Sequence, residues 1–348
     1  MRVIPRSPWL RLGLVAIPFG LAAILLWFRG PDWQLVRSTF TVVRWRWVFT
    51  AIGLNLGSVI TRVIAWDTAI KQAMAPPHPR FRSVLSAFGV GLFANAVLPG
   101  RIGELARVAV LTRRLPGRRG IWATLVGSVV AHRVFDIFPV IALIVWVLFA
   151  AKIPQWAITG LASFAAVGLI LFGLALTNAR LHHRSRLEGL GRARLLLTRV
   201  RQGLGVMRRP LPALTAAFFQ FLGWFCQLLA VWTAMFAFHI HKPLAAAGLV
   251  LLLMNVATIF PLWPGNVGLL QAAVAFPLVS YGVDYGVGFA YGIGLQAIEA
   301  SVGIGIGFLF LAREGLSYAM LKSMPQPTDV DDGPVESEQR EHAGAVVS

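Results

Sequence analysis

The sequence predicts an all-α polytopic membrane protein of about six to eight transmembrane helices, with two re-entrant hairpins broken by Pro and Gly and related as an inverted repeat. Three observations carry that prediction. Of the 348 residues, 57% are hydrophobic and only 13% are charged, whereas soluble domains run near 25% charged. Several apolar runs reach the roughly 20 residues a helix needs to cross a ~30 Å hydrocarbon core. Two such stretches are broken by one pattern 165 residues apart: Leu98-Pro99-Gly100-Arg101-Ile102-Gly103-Glu104-Leu105 and Trp263-Pro264-Gly265-Asn266-Val267-Gly268-Leu269-Leu270. Backbone freed at membrane depth survives only inside protein or along a cavity. Paired breaks in the two halves of one chain point to a transporter-like substrate site.

The clearest spans are 10–28, 47–66, 121–150, 156–176, 211–238, 244–260 and 286–312. The first follows Arg2, Arg6 and Arg11, as a signal peptide does. Trp27-Phe28-Arg29 stands where a small-residue cleavage site belongs, so an uncleaved span is expected. Segments 83–98 and 269–279 are too short or too broken for plain spans and are read as hairpin arms.

Orientation follows from the basic loops. Segment 178–209 holds nine Arg against Glu188, and Arg113, Arg114, Arg118 and Arg119 make a second cluster. Lys and Arg accumulate on the cytoplasmic side, so both loops are expected inside, with two spans between them and Lys152 at an outer turn. Hairpin 83–112 then enters from the cytoplasm and hairpin 244–279 from the outer face, with both termini cytoplasmic in the plasma membrane. Arg29, Arg37, Arg44 and Arg46 fall on the outside in this scheme, which calls for an interfacial helix along the head groups.

Charge separates two domains: a membrane body at 1–312 and an acidic, disordered cytoplasmic tail at 313–348. The tail holds seven of the 14 acids and the body 29 of the 32 basic residues. The net charge of +18 lies in short loops between apolar runs, which favours anionic lipid over nucleic acid. Cys226 is the one cysteine, so no intrachain disulfide or cysteine metal site is expected. His239-x-His241 suits an interfacial loop better than a metal pair. Gly288-x-x-x-Gly292 and Gly303-x-x-x-Gly307 read as close helix packing. No cofactor and no metal are expected, and no nucleotide-binding, zinc-protease or serine-hydrolase motif is present.

An ionisable group inside a membrane helix marks function by default. Glu104 follows the first break, with Arg107 three residues on, so the two either pair to hold the hairpin or meet a ligand. A helix restarting near Gly103 would favour Glu104 through its dipole, and its free amides with Arg101 would receive a phosphate. His132, Arg133 and Asp136 form a second cluster in which the spacing sets Asp136 beside both basic groups. Neutralising a head group, relaying a proton and simple pairing all fit it. Arg62 and Glu299 lie inside apolar spans and suit either a cross-bundle pair or a ligand contact.

The run from Asn95 to Arg107, Asn-Ala-Val-Leu-Pro-Gly-Arg-Ile-Gly-Glu-Leu-Ala-Arg, resembles the flippase-like membrane domain of lysylphosphatidylglycerol synthases. Arg133 with Asp136, and Pro261-x-x-Pro264-Gly265-x-x-Gly268, fit the same pattern, and the likeness covers about 10–312. It implies a multi-helix domain that moves an anionic or aminoacylated phospholipid, or a polyprenyl-linked glycolipid, between leaflets. Many relatives place Glu after the second motif where this chain has Gln271, so an acid there is not essential to this protein. The synthases carry a soluble aminoacyl-transferase domain after the membrane part, whereas an acidic tail follows here; the resemblance argues against lysyl transfer by this chain.

The first reading is therefore a lipid flippase or transporter, not an enzyme. Arg101, Glu104, Arg107, Arg133 and Asp136 would form the polar floor of its groove, with membrane lipids as partners. The second is a non-transporting membrane subunit that binds a lipid intermediate beside enzymes of cell-envelope glycolipid synthesis. The third is a membrane-embedded transferase with Glu104 or Asp136 as base.

Overall fold

The computed structural model describes residues 31–97, 102–115, 121–153, 158–159, 210–259 and 266–314. The expected spans at 10–28 and 156–176, the loop at 178–209, and the tail beyond 314 lie outside the described residues. So do Pro99, Gly100, Arg101, Pro264 and Gly265.

Within them the chain is helical. Helix α1 spans Trp33–Thr41, α2 Trp45–Ala73, α3 Phe81–Val97, α4 Gly103–Arg113 and α5 Ile121–Ala150. Helix α6 spans Pro210–Ala237, α7 Leu244–Ile259, α8 Leu269–Val279 and α9 Tyr285–Glu314. Four are long and apolar enough to cross a membrane, namely α2, α5, α6 and the Tyr285–Phe310 part of α9. The protein is a polytopic membrane protein. The shorter apolar helices α3, α7 and α8 are each hairpin arms. Segment 244–260, taken from the sequence as a span, forms one of them.

Local chemistry explains the ends. Asp32 caps α1, its Oδ1 accepting from the amides of Gln34 at 2.9 Å and Leu35 at 3.3 Å. Pro210 opens α6 at a position where a missing N–H costs nothing. Helix α1 covers the region expected to lie at the interface and docks on α9, with Trp33 edge-on to Phe289.

The order α2 to α5 is repeated by α6 to α9. Corresponding helices have 29 and 28, 17 and 16, 11 and 11, and 30 and 30 residues. Packing repeats too. Helix α9 lies on α3 and α8, while its counterpart α5 lies on α7 and α4. Helices α2 and α6, counterparts of each other, make the most extensive helix pair and run antiparallel. The Arg44 amide at the start of α2 donates to the Ala237 carbonyl at the end of α6, at 3.0 Å. Further along, Arg62 reaches Gln227 and covers Gly223. Antiparallel counterparts are the geometry of an inverted repeat.

Each hairpin is closed by a glycine, for different reasons. A Cβ on Gly103 would overlap the Gly91 carbonyl oxygen, so α3 and α4 approach backbone to backbone. The Gly103 amide donates to Asn95 Oδ1 at 2.8 Å. Gly268, its counterpart, has a φ of 90°, which L side chains rarely adopt, and its amide donates to Gln271 Oε1 at 2.5 Å. The small-residue pairs on α9 pack as the sequence suggests. Gly288 and Gly292 face the α8 backbone at Ala275 and Gln271, and Gly303 and Gly307 face α3 at Leu92 and Phe93.

Candidate functional site

Helix α4 begins at Gly103, which puts Glu104 in its first turn, where the dipole favours a carboxylate. Glu104 makes no ion pair with Arg107 and reaches across to α5. Its Oε1 accepts from Arg133 Nε at 2.6 Å and from Arg133 Nη2. Of the two readings the spacing allowed, a Glu104–Arg107 pair is not formed, and Glu104 instead ties the first hairpin to α5. This ion pair is half-exposed, with side-chain exposures of 49% for Arg133 and 35% for Glu104.

From Arg133 the network runs inward. Its Nη1 donates to Asp136 Oδ2 at 3.0 Å. Asp136 Oδ1 accepts from Trp224 Nε1 at 2.9 Å and from Gln220 Nε2, both on α6, with Arg62 Nη1 at 4.0 Å. His132 does not join Asp136 as its spacing suggested. Its Nε2 meets the Arg62 carbonyl at 3.2 Å, which places the ring proton on Nε2, because a carbonyl only accepts. Nor do Arg62 and Glu299 pair directly. Arg62 Nη2 donates to Gln227 Oε1 at 2.6 Å, and Gln227 Nε2 donates to Glu299 Oε1 at 3.5 Å.

Gln220, Trp224 and Gln227 were missed in the sequence because amides and indoles in apolar spans draw less notice than charges. Repeat arithmetic would have found one of them. Arg62 and Gln227 stand 165 residues apart, so they are equivalent positions, and two equivalent positions in contact lie beside the axis relating the halves.

Arg107 is buried, 4% exposed. Its guanidinium sits in the angle between two rings, 4.6 Å from the Trp66 centroid and 5.2 Å from that of Phe88. Trp66 is held there by donating from Nε1 to Ser128 Oγ on α5 at 3.1 Å. Between α3, α4 and α5 lies a cavity of about 40 Å³ whose walls include Asn95, Gly103, Glu104, Arg107 and Arg133. Of the predicted head-group residues, Glu104, Arg107 and Arg133 share this cavity, and Asp136 backs Arg133 from behind. Among the described residues no cluster of metal-ligating side chains occurs. His239 and His241 lie in the turn after α6, where their ring nitrogens meet backbone carbonyls at 2.9 and 3.0 Å.

A charged cavity beside a broken hairpin, in a chain of two inverted halves, agrees with a family match. The family model described as the lysylphosphatidylglycerol synthase transmembrane region covers residues 9–307. The chain belongs to this family. It is also similar to a UPF0104 membrane protein of Methanocaldococcus jannaschii, 22% identical over 207 residues, which is 57% of this chain and 84% of the relative. A UPF0104 membrane protein of Pyrococcus horikoshii is 24% identical over 178 residues, 51% of this chain and 52% of the relative. No solved structure matches the chain. The family match takes in both hairpins, every residue of the charged network and the four long apolar helices save the end of α9.

Proposed function

We propose that this protein binds a membrane lipid by its head group and carries it between leaflets, with the polar groove between the first hairpin and α5. The observation that supports this reading is the half-exposed Glu104–Arg133 pair, which joins a hairpin arm to a spanning helix at the wall of a cavity. A half-exposed ion pair contributes about 1 kcal/mol or less to stability, so holding the fold does not by itself account for it. Left open beside a buried Arg107, it offers a head group both signs of charge while the acyl chains stay in lipid. The same reading makes the protein a transporter and not an enzyme. It sits in the plasma membrane with both termini in the cytoplasm, a placement that rests on the Arg-rich loops.

Transfer of a head-group-labelled phospholipid in proteoliposomes tests the reading. Transfer faster than in protein-free vesicles is expected. Lipid that co-purifies with the protein but is not transferred would instead favour the non-transporting subunit. Orientation is tested separately by Ser185→Cys in a Cys226→Ala background: labelling from outside intact cells would reverse the assignment.

A further inference from the structure

We infer that Glu299 is a proton-binding site, loaded and emptied once for each lipid moved, and that Arg62 turns from Asp136 to Glu299 when the proton leaves. The inference rests on the transport reading above and adds its driving force, a proton gradient. Glu299 follows Tyr285, the start of α9, by nearly the same number of residues that separates Asp136 from Ile121, the start of α5. Each half of the repeat therefore puts one acid near the middle of its long helix. Between the two acids, beside the axis, stands one cation. Arg62 Nη1 lies 4.0 Å from Asp136 Oδ1, and its Nη2 donates to Gln227 Oε1 at 2.6 Å. A single amide group thus separates the guanidinium from Glu299.

Asp136 has Arg133 as a second cation. Glu299 has none within ion-pair distance among the described residues. A lone carboxylate inside a membrane helix is costly, so in this arrangement the group is neutral and carries its proton. Its hydrogen bond agrees: Gln227 Nε2 donates to Oε1 at 3.5 Å, whereas charge-assisted bonds shorten to about 2.7–2.9 Å. The helices around α9 offer no other cation. Helix α8 has no ionisable side chain, and α6 has only Cys226. On α2, Asp67 and Lys71 hold each other at 2.6 Å, which leaves Arg62. Arg37 belongs to α1, which meets α9 at Phe289, almost three turns before Glu299. Arg82 opens α3, beyond the contact of Gly89 with Phe310. Tyr291, two turns back on α9, donates to the Val231 carbonyl. A metal cation needs several oxygen ligands, and among the described residues no cluster of ligating side chains includes Glu299. Glu299 is only partly buried, so its proton can exchange. Release of that proton to water leaves a carboxylate, Arg62 displaces the Gln227 amide to meet it, and Asp136 keeps Arg133. Arg62 stays charged throughout, so one proton is exchanged in each cycle. The packing of α2 on α6 stays while the guanidinium turns. The turn reaches the cavity because Asp136 holds Arg133 and Arg133 holds Glu104.

Infrared difference spectra of the full-length protein in detergent, recorded as the pH is raised from neutral, read the carboxyl proton. The natural chain should show a protonated-carboxyl band that vanishes on alkalinisation. Glu299→Gln should lack that band and Glu104→Gln should keep it. The second measurement uses proteoliposomes with a trace of head-group-labelled phospholipid and the membrane potential held at zero. A gradient of about one pH unit should concentrate the label in one leaflet up to about tenfold, the limit for one proton per lipid, and Glu299→Gln should lose that accumulation. A band that persists in Glu299→Gln overturns the site. Transfer by the natural chain that ignores the pH gradient, or that follows a sodium gradient equally, overturns the coupling. If Glu299→Gln does not fold, Glu299→Asp takes its place: it must move the pH at which the band vanishes, and an unmoved band overturns the site. A chain with the Glu299 band and no lipid transfer removes the transport reading and leaves the proton site. Transfer without the band does the reverse.

Discussion

At the scale of single residues, the two carboxylates on Arg133 have different surroundings and should fail differently. Asp136 is buried and accepts from Arg133, Trp224 and Gln220. Asp136→Asn removes the charge that compensates Arg133 and Arg62 in the interior, a loss of about 3–5 kcal/mol. Equilibrium unfolding in mixed micelles should show it. Glu104 sits at the cavity mouth, where half-exposed pairs contribute about 1 kcal/mol or less. Glu104→Gln should therefore leave the unfolding curve nearly unchanged and reduce lipid transfer at least tenfold. Equal destabilisation by both would make Glu104 a hairpin fastener. The sequence disclosed these charges because ionisable groups stand out in apolar runs, and spacing on one helix correctly set Asp136 beside Arg133. It could not set Glu104 on Arg133 rather than Arg107, or His132 on the Arg62 carbonyl rather than Asp136, because those partners stand on other helices. Gln220 went unread, since its partner Asp136 also stands on another helix.

At the scale of elements, the hairpins were legible because Pro and Gly interrupt apolar sequence at one spacing, but not the work each glycine does. Spelling alone makes Gly103 and Gly268 equivalent. The structure separates them into a close backbone approach and a left-handed backbone. Substitution should distinguish both from ordinary packing. In Gly103→Ala the new methyl meets the Gly91 carbonyl, which cannot rotate away, so α3 and α4 must part at about 1–3 kcal/mol. Gly268→Ala puts an L side chain at a positive φ, a backbone strain of about 1–3 kcal/mol. Gly305, with nothing within 4 Å of an added Cβ, should accept Ala with its midpoint unchanged or slightly raised by helix propensity. Thermal midpoints of the three variants in one detergent check this, and a Gly103→Ala protein as stable as Gly305→Ala would mean that the hairpin arms do not touch.

At the scale of the whole molecule, the inverted repeat makes a statement about motion that no single site makes. If the halves exchange conformations to present the groove to each leaflet in turn, contacts beside the axis persist while contacts between a hairpin and the opposing long helix open and close. The structure supplies one pair of each kind. A Cβ at Gly57 on α2 would lie 3.9 Å from Cys226 Sγ on α6, beside the axis. A Cβ at Gly303 on α9 would lie 3.9 Å from that of Ala96 on the first hairpin, within the range a disulfide spans. Gly57→Cys should therefore form a disulfide with the native Cys226 under mild oxidation and leave lipid transfer within about twofold of the reduced protein. The pair Ala96→Cys with Gly303→Cys, in a Cys226→Ala background, should also crosslink but should stop transfer, with recovery on reduction. Failure of Gly57→Cys to crosslink would remove the antiparallel α2 and α6 packing on which the repeat rests. Transfer that continues with 96 and 303 joined would leave the repeat intact and show that α3 and α9 move as one body, so that the opening lies between α4 and α5, at the Glu104–Arg133 pair itself.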